Sequence, residues 1–434
     1  MESSFFPAIT LSILLLALIV TGVPIAFLLC FLGILACFLW IGSGATIQIV
    51  QTFYGTCSSE ILVCVPLFLF MAEIVVSCGI GEDLFNALRI WTGRLKGGVS
   101  AATLIGCALF AAVSGSSTAT IAAVGVIALF EMLRIGYDKK FACGTVGVGG
   151  TLGVMIPPSI IMILYGALAD QSIGKLFIAG VIPGIILAIG YVIFALVRCY
   201  FNPNLAPVPA ETLPIRVKLR ALRTVVPFLI VFIAMFWAFY TGVATPTEVA
   251  AVGVLASFII GVAMRRLSLH GLFEATKRAG RITAFVLFIV AGAKFFTFAV
   301  SATGISSLLT QAIENLELSP FKLVLMMMFV YLIMGCFIDP AGMLTLTIPF
   351  FLPILVSSNI DLIWFGIVTT VNLELSYCTP PFGFNLFILK GVAPPQVNLN
   401  HIIIGVLPFI TIDFLVLALV LIFPQLALWL PSHM

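Results

Sequence analysis

A polar interruption inside a long apolar run is the feature that most restricts how this chain can fold. The apolar region Val99–Leu133 contains the small and hydroxyl residues A-A-V-S-G-S-S-T-A-T at Ala111–Thr120. A second interruption, G-G-T-L-G-V-M-I-P-P-S, occupies Gly149–Ser159. Lipid cannot satisfy the backbone N–H and C=O groups that a helix break frees at membrane depth, so such breaks lie within protein or line a watery cavity. We therefore expect both interruptions to serve a function.

The composition places these breaks in a helical protein that crosses a membrane many times. Of the 434 residues 62% are hydrophobic and 9% are charged, against about 25% charged residues in soluble domains. Apolar runs of roughly 20 residues, the length of a membrane-spanning helix, recur along the chain. The sequence has no G-x-x-x-x-G-K-[ST] phosphate loop, so we expect no ATP hydrolysis and no bound nucleotide. Nucleic acid is not an expected partner. Its apolar start lacks the basic region and cleavage site of a signal peptide.

Basic residues indicate that the interrupted region 97–134 turns back inside the membrane. They flank it on both sides, at Arg89, Arg94, Lys96, Arg134, Lys139 and Lys140. Because basic loops stay in the cytoplasm, both ends of the region are expected on that side. The only polar place to turn is Ser114–Thr118, so we predict a re-entrant hairpin with its tip near mid-membrane.

The second half of the chain repeats the first half at a nearly constant offset. Thr21-Gly22-Val23 recurs in the second half as Thr241-Gly242-Val243, and Pro157-Pro158 recurs as Pro380-Pro381. The proline-rich and basic segment 198–223 divides the chain. We predict a cytoplasmic linker there, between a first repeat at 1–197 and a second at 224–434.

Each repeat is predicted to contain the same parts. Scaffold helices are expected at 5–41 and 225–262, hairpins at 97–134 and 321–356, and broken helices at 141–168 and 362–390. The second hairpin is interrupted at Asp339-Pro340-Ala341-Gly342, and its flanks have no basic excess, which fits the external face. The predicted fold class is an all-α membrane protein built as an inverted repeat, with about five crossings and one re-entrant hairpin in each copy.

Oxygen atoms at the breaks predict two cation sites. A hard cation such as sodium prefers oxygen ligands, which hydroxyl groups and the free carbonyls of a broken helix supply. The first predicted site combines the hairpin tip, Ser114–Thr118, with oxygen atoms of the broken helix at Gly153, Ile156 and Pro158. The second is its counterpart in the other repeat, namely Gly335, Ser376, Thr379 and Phe382. The alternative for the first cluster is a face of small residues on which helices pack closely without an ion.

Five residues are candidates for contact with a substrate: Ser116, Thr118, Ser159, Lys294 and Asp339. A carboxylate at membrane depth is costly, so Asp339 marks a functional site, although Asp before Pro-Ala-Gly also suits a helix N-cap. Lys294 either pairs with a substrate carboxylate, reaches the interface, or pairs with an acidic residue. Glu248 is expected to cap a helix start. Structural pairing is expected for three other acids in apolar runs, Glu73, Glu374 and Asp413.

Other classes of function compete with a transporter. An intramembrane serine protease would need a histidine beside Ser116 or Ser117, but the histidines, at 270, 401 and 433, lie near predicted helix ends or the terminus. An aspartyl enzyme would need Asp339 and Asp413 face to face. An ion or solute channel stays open as an alternative, as does a non-transporting structural subunit, although the latter needs no symmetric broken hairpins.

Four motifs spread over the chain carry a family resemblance. They are S-G-S-S-T-A-T at Ser114–Thr120, G-T-L-G-V-M-I-P-P-S at Gly150–Ser159, G-V-A-T-P-T-E-V-A-A at Gly242–Ala251 and T-P-P-F-G-F-N-L-F at Thr379–Phe387. Together they resemble the large membrane (M) subunit, DctM-like, of tripartite ATP-independent periplasmic (TRAP) transporters. No four-helix stretch precedes Phe5, so the chain is similar to the unfused form of that subunit.

The resemblance implies an elevator-type importer of the ion-transporter superfamily in the bacterial inner membrane, driven by two or more sodium ions. Its substrate would be an organic acid, such as a C4-dicarboxylate, a sialic acid or a related sugar acid. Its partners would be a four-helix small membrane subunit, as a separate chain, and a periplasmic substrate-binding protein. By motif, the resemblance implies one sodium site at Ser114, Ser117, Gly153, Ile156 and Pro158, and the other at Gly335, Ser376, Thr379 and Phe382. It also implies that Ser116 and Asp339 face the substrate. At Ser376 the family pattern leads us to expect glycine.

Overall fold

Every regular element in the part of the chain that the structure describes is a helix. The computed structural model describes residues 2–93, 95–207, 214–223, 225–380 and 383–433. Eight of the described helices are long and apolar enough to cross a membrane, and six shorter apolar helices accompany them. These observations confirm the predicted fold class, an all-α membrane protein.

The helices of the first half are numbered in chain order. They are α1 (Glu2–Val20), α2 (Ile25–Ala36), α3 (Ile47–Cys57), α4 (Cys64–Ser77), α5 (Ile80–Thr92), α6 (Gly98–Ser114), α7 (Ser117–Arg134), α8 (Lys139–Met155), α9 (Ile160–Ala169) and α10 (Ile173–Phe201). A π-helical turn, Cys37–Ile41, extends α2, and another, Ile121–Gly125, lies inside α7.

The second half begins with a short helix in the linker and then repeats the first half. Its helices are α11 (Ile215–Leu222), α12 (Val226–Tyr240), α13 (Pro246–Ala263), α14 (Leu269–Ala302), α15 (Ile305–Glu314), α16 (Pro320–Met334), α17 (Pro340–Ser357), α18 (Leu362–Cys378), α19 (Phe384–Val392), α20 (Leu399–Ile422) and α21 (Gln425–Leu428). Helices α12 to α20 follow the order of α1 to α10, with α14 in the place of α3 and α4.

The same local signals begin corresponding helices in both halves. Gly79 precedes α5 with φ 71°, and Gly304 precedes α15 with φ 76°, a left-handed conformation that glycine adopts at little cost. The side chain of Asp138 accepts a hydrogen bond from Phe141 N at the start of α8. Asp361 accepts one from Trp364 N at the start of α18. These caps satisfy N–H groups that have no partner within their helices.

Both interrupted regions fold back on themselves as helical hairpins. In the first, a Cβ atom added at Gly106 would lie 3.4 Å from Val124, and both residues are nine positions from Gly115. In the second, the hydroxyl groups of Tyr331 and Thr347 lie 2.6 Å apart, and both residues are eight positions from Asp339. The two turns therefore lie at the sequence interruptions. We name residues Ser114–Thr118 the first tip and Gly335–Gly342 the second tip.

The two broken helices run in opposite directions. Tyr165, near the end of α9, donates its hydroxyl proton to the carbonyl of Leu362 at the start of α18, at 2.6 Å. Toward their other ends, a Cβ atom added at Gly147 of α8 would lie 3.9 Å from Leu389 of α19. The beginning of each broken helix thus lies near the end of the other, as an inverted repeat requires. We name 156–159 the first break and 379–383 the second break; Pro381 and Phe382 lie outside the described residues.

The scaffold helices of each repeat pack against helices of the other repeat. Helix α13 packs against α4, and α2 packs against α14. Gly253 of α13 lies against Met71, and Gly33 of α2 lies against Phe295, so a Cβ atom at either glycine would come within 2.6 Å of its neighbour. These two glycines occupy equivalent positions of the repeated pattern, at the same offset as Gly22 and Gly242. The repeat therefore keeps a close crossing of helices in each half.

Two short amphipathic helices, α5 and α15, were not among the predicted parts. Each follows a left-handed glycine and precedes a hairpin. Helix α5 is tied to the second repeat by an ion pair between Asp83 and Arg266. Close by, Arg278 Nε lies 2.6 Å from Glu73 Oε2, which confirms the pairing predicted for Glu73.

A close crossing of the two repeats, at Gly144 and Gly405, gives a stability prediction. A Cβ atom at Gly405 would lie 2.0 Å from the carbonyl oxygen of Lys140. We expect Gly405→Ala to force α8 and α20 apart and to lower the free energy of unfolding by about 1–3 kcal/mol. Thermal unfolding of the purified chain in detergent measures this.

Gly280→Ala is the matched control, because a Cβ atom at this exposed position in α14 meets nothing within 4 Å. Replacing glycine by alanine in an exposed helix should leave stability unchanged or raise it by up to about 1 kcal/mol. Equal unfolding temperatures for both variants would contradict the close packing described here.

Candidate functional site

The first tip lies against the first break, which brings together four residues of the first predicted cation site, Ser114, Ser117, Gly153 and Pro158. The described contacts do not join Ile156, which lines an apolar cleft, to the tip. A Cβ atom at Gly153 would lie 2.7 Å from the backbone of Ser116 and 2.8 Å from that of Ser117. Gly115 has φ +59°, and a Cβ atom there would lie 2.1 Å from the carbonyl oxygen of Pro158. Ile160 N donates a hydrogen bond to the Gly115 carbonyl at 3.3 Å. Only residues without a side chain allow two backbones to approach this closely.

Hydroxyl groups and a small cavity line this contact. Ser114 Oγ lies 3.2 Å from Thr120 Oγ1, and the latter donates to the carbonyl of Ser116 at 2.9 Å. A cavity of about 10 Å³ lies beside Ser114, Gly115 and Pro158. That volume is close to the minimum that one water molecule requires, roughly 10–15 Å³. Most of its lining is apolar, including Val65, Phe68 and Ile163, so the oxygen atoms of the contact and not this cavity are the features that suit a cation.

The second tip meets the second break in the same way. A Cβ atom at Gly335 would lie 2.4 Å from the side chain of Ser376. Cys336 Sγ lies 3.8 Å from the carbonyl oxygen of Pro380, and Thr379 N donates to the Ser376 carbonyl at 3.4 Å. Gly335, Ser376 and Thr379 thus surround one place. Phe382, the fourth residue predicted for this site, lies outside the described residues.

The direction of the helices gives the two contacts their electrostatic character. Helices α6 and α8 end at the first contact, and α16 and α18 end at the second. The last four carbonyl groups of a helix lack partners within it and carry the negative end of its dipole, about half an elementary charge. Two such ends meeting at one point favour a cation.

The opposite helix ends supply positive potential beside the same contacts. Helices α7, α9, α17 and α19 begin at the tips and breaks, with Ser116, Ser159 and Asp339 as the N-caps of the first three. Free N–H groups and the positive end of the dipole favour anionic groups at helix N-termini. The arrangement is therefore suited to an anion, such as a carboxylate, next to two cations.

The predicted substrate residues occupy different environments. Ser116 Oγ lies 2.9 Å from Thr118 Oγ1 at an exposed position on the first tip. Asp339 is half-buried and accepts a hydrogen bond from Gly342 N at 3.1 Å, so it forms the N-cap that its sequence suggested. Ser159 is fully buried and bonds to the carbonyl of Val154 and to the N–H of Met162.

Lys294 is the predicted substrate residue that the described contacts do not join to either tip. It lies half-buried in α14, outside the hairpins and the broken helices. Its pairing with a substrate carboxylate stays a prediction. Glu248 has the capping role expected of it, since its carboxylate accepts a hydrogen bond from Thr245 N at 2.7 Å.

Asn385 is the principal residue that sequence reasoning missed. Ser117 Oγ donates to Asn385 Oδ1 at 2.7 Å, and this bond joins the first tip to α19 of the other repeat. Asn385 is fully buried, and its Nδ2 group has no hydrogen-bond partner. The partner of Ser117 is thus an amide, whereas a serine protease would need a histidine. The signal was present in T-P-P-F-G-F-N-L-F, where this asparagine is the one amide among apolar residues.

The pairing predicted for Glu374 and Asp413 takes a different form. Both are buried, and neither belongs to the four ion pairs of the described residues. Asp413 accepts a hydrogen bond from the hydroxyl of Tyr191, and Glu374 lies beside Asp413 and Thr151. The two acids therefore lie together where α8, α10, α18 and α20 meet. Among the described residues Tyr191 is the hydrogen-bond partner of Asp413 Oδ1, whereas both carboxylate oxygens of Glu374 and Oδ2 of Asp413 have no hydrogen-bond partner.

The bond between Ser117 and Asn385 yields a prediction about coupling. We expect Ser117→Ala and Asn385→Ala each to lower the free energy of unfolding by about 1–3 kcal/mol, because each leaves a buried polar partner unsatisfied. The double variant should lose less than the sum, by about 0.5–1.5 kcal/mol. Ser117→Ala combined with Asn202→Ala, at the exposed end of α10, is the control and should be additive. Additive losses in both pairs would contradict the bond.

The bond from Tyr191 to Asp413 yields a second prediction. Tyr191→Phe keeps the ring but removes the donor to a buried carboxyl group, so we expect a loss of about 1–3 kcal/mol in unfolding free energy. Tyr54→Phe, at an exposed ring, should change stability by less than about 0.5 kcal/mol. Thermal unfolding of both variants in detergent compares them, and equal stability would show that the Tyr191 hydroxyl is not needed.

Comparison with known proteins bears on the identity of the chain. Residues 12–426 match the family model for the DctM component of tripartite ATP-independent periplasmic transporters. A C4-dicarboxylate TRAP transporter large permease, DctM, of Pseudomonas aeruginosa is 34% identical over 87% of this chain and 88% of its own.

Relatives with other named substrates match over similar lengths. An ectoine large permease, TeaC, of Halomonas elongata is 31% identical over 96% of this chain and 97% of its own. A sialic acid large permease, SiaM, of Vibrio cholerae is 29% identical over 96% of each chain. The solved YdaH transporter of Alcanivorax borkumensis has the same fold, with a TM-score of 0.62 over 87% of each chain at 14% identity. The chain belongs to the DctM family, the large permease component of tripartite ATP-independent periplasmic transporters.

Proposed function

We propose that this chain is the transmembrane translocation subunit of a secondary active importer that carries an organic acid into the cell with sodium ions. One observation carries the proposal: at each tip, two helix C-termini meet where hydroxyl and carbonyl oxygens converge, while helix N-termini begin beside them. Negative helix ends favour sodium and positive ends favour a carboxylate. A site that holds both ions at once makes the binding of each depend on the other.

The sodium ions would bind at the two tip–break contacts. The first ion would be held by Ser114, Ser117, Gly153, Ile156 and Pro158, and the second by Gly335, Ser376, Thr379 and Phe382. Ser117 Oγ donates its proton to Asn385, at 2.7 Å, and its lone pairs stay available to accept a cation. At the second contact serine replaces the expected glycine, and Gly335 opposite provides the room that the Ser376 side chain occupies.

The substrate would bind beside the tips. Asp339 and the exposed hydroxyl pair of Ser116 and Thr118 offer groups for substrate hydroxyls or an ammonium group, and the helix N-termini offer N–H donors for a carboxylate. Ser159 would act through the N-terminus that it caps, and Lys294 would complement a second carboxylate. Relatives are named for C4-dicarboxylates and sialic acid, and we propose a substrate from these classes or a related sugar acid.

Transport would proceed by an elevator movement. The two hairpins and the two broken helices would move as one unit against the scaffold helices α1, α2, α12 and α13. Sodium binding would draw the tips onto the breaks and close them around the solute, which couples ion and substrate.

The chain would work in the bacterial inner membrane with two partners. Members of the family are one component of a tripartite transporter. We therefore propose that the partners are a small membrane subunit, as a separate four-helix chain, and a periplasmic protein that delivers the substrate. The main alternative, a channel, differs in one measurable respect, because a channel cannot concentrate a solute against its gradient.

Uptake into liposomes that contain the complete transporter tests the proposal. The substrate is first identified by a thermal-shift screen of the cognate periplasmic protein against organic acids. We expect concentrative uptake that requires an inward sodium gradient, and a decrease of about tenfold or more in Ser117→Ala and Asp339→Ala at unchanged expression, since one coordinating or hydrogen-bonding group costs roughly 1.5–3 kcal/mol when charge is involved.

Two variants provide matched controls. Asp361→Ala removes an aspartate N-cap, like Asp339→Ala, but at the outer start of α18. Ser268→Ala removes an exposed serine cap at the start of α14. Both should keep sodium-driven uptake while losing about 1 kcal/mol of stability. Normal uptake in Ser117→Ala and Asp339→Ala, or uptake that only equilibrates the solute, would refute the proposal.

A further inference from the structure

An apolar cleft separates the scaffold helix α12 from α6 and α10. It has a volume of about 460 Å³, and all of its lining residues are apolar, including Ile105 and Ala108 of α6, Ile189 and Ile193 of α10, and Phe232 and Phe236 of α12. This volume is many times the roughly 30 Å³ of one water molecule, and apolar cavities do not hold water stably. An elongated apolar group suits such a cleft.

The cleft lies in the cytoplasmic half of the membrane. Ile105 is seven residues from the start of α6 and Phe232 is six residues from the start of α12. At 1.5 Å per residue the cleft therefore begins about 10 Å from these helix ends. Pro157 of the first break lines its inner part. The basic residues at the outer ends place them in the cytoplasm, so the cleft has the depth of an acyl chain in that leaflet.

Two lysines lie over aromatic rings near the cytoplasmic end of the cleft, one between α6 and α10 and the other at the end of α5, which packs against α6. Lys96 Nζ lies 5.4 Å from the centre of the Tyr200 ring, and Tyr200 continues the face of α10 that carries Ile189 and Ile193. Lys218 Nζ of the linker helix α11 lies 5.8 Å from the Trp91 ring. Trp91 Nε1 donates to the Lys218 carbonyl at 3.1 Å, which fixes α11 against the end of α5.

These lysines have no acidic partner among the described ion pairs. Tyr200 is 67% exposed and Trp91 is 40% exposed, positions typical of aromatic rings at the level of lipid headgroups. Helix α11 carries two further basic residues, Arg216 and Arg220, at exposed positions. A basic amphipathic helix at the cytoplasmic surface attracts anionic lipid.

We propose that this cleft binds an acyl chain of an anionic phospholipid from the cytoplasmic leaflet, and that Lys96 and Lys218 hold its phosphate headgroup. Charge complementarity selects an anionic over a zwitterionic lipid, and the concave apolar wall selects a bound lipid over the surrounding bilayer. A lipid bound in the cleft contacts the first break, because Ile156 lines the cleft.

Lipid exchange on the full-length chain tests the headgroup contact. The purified chain is equilibrated in mixed micelles of phosphatidylglycerol and phosphatidylcholine, and the lipids it retains are counted by native mass spectrometry. We expect a preference for phosphatidylglycerol that falls about fivefold for each of Lys96→Gln and Lys218→Gln, since one basic residue near the surface contributes about 1 kcal/mol. Lys277→Gln, an exposed lysine on α14, should keep the preference. Equal retention of both lipids by the unmodified chain would overturn the headgroup contact.

A cleft-filling variant tests the acyl contact independently. Ala108→Phe places a ring in the cleft and should abolish retention of both lipids, whereas Ala234→Phe, at an exposed position of α12 outside the lining, should retain them. Unchanged retention by a folded Ala108→Phe chain would overturn the acyl site. A cleft occupied by a helix of another protein would hold no lipid in the purified complex, and that result would also overturn the proposal.

Discussion

The fold depends on how the protein satisfies backbone N–H and C=O groups that lose their helical partners inside the membrane. This happens at four places, the two tips and the two breaks. Each break would cost several kcal/mol for every unpaired group in lipid. The protein presses each hairpin tip onto the break of its own repeat, with Gly115 and Gly153 at the first contact and Gly335 at the second. Part of the freed backbone is paired there, since Ser159 donates a hydrogen bond to the Val154 carbonyl and Ile160 N donates one to the Gly115 carbonyl. The helix C-termini at these contacts carry partial negative charge, and on that feature we base the proposed sodium sites.

The arrangement within each repeat sorts the helix ends by charge. Each tip receives one C-terminus from its hairpin and one from the broken helix of the same repeat, with the corresponding N-termini just beyond. Because the two repeats run in opposite directions, the two pairs of C-termini approach from opposite sides. At the first contact the tip and the broken helix each supply a glycine, Gly115 and Gly153, whereas at the second contact Gly335 of the tip faces Ser376 of the broken helix. One residue without a side chain is therefore enough for the contact. This explains why serine is tolerated where the family pattern suggested glycine.

The parts of the fold that could be predicted are those marked by short local sequence signals. Polar interruptions, paired prolines and basic flanks located the hairpins and broken helices, and the order Asp-Pro-Ala-Gly marked the N-cap at Asp339. The sequence did not predict contacts between residues that are far apart along the chain. Asn385 meets Ser117 from the far end of the chain, and neither the period of a helix nor a repeat offset encodes that contact. The short helices α5 and α15 escaped because each spans less than a membrane thickness and has an amphipathic face that resembles a loop between crossings.

Membrane depth explains why one predicted acid pair formed a salt bridge and the other did not. Glu73 lies near a helix end, where the long side chain of Arg278 reaches it and keeps contact with water. Glu374 and Asp413 lie among four packed helices, where bringing in a cationic side chain would cost several kcal/mol of desolvation. When the two copies are aligned on their shared motifs, Glu374 corresponds to Thr151 and Asp413 to Ala188. The inverted architecture is therefore built in the first repeat without these acids. Burying an acid costs free energy, and the first repeat folds without one at these positions. We therefore expect Glu374 and Asp413 to serve a purpose in the second repeat other than folding.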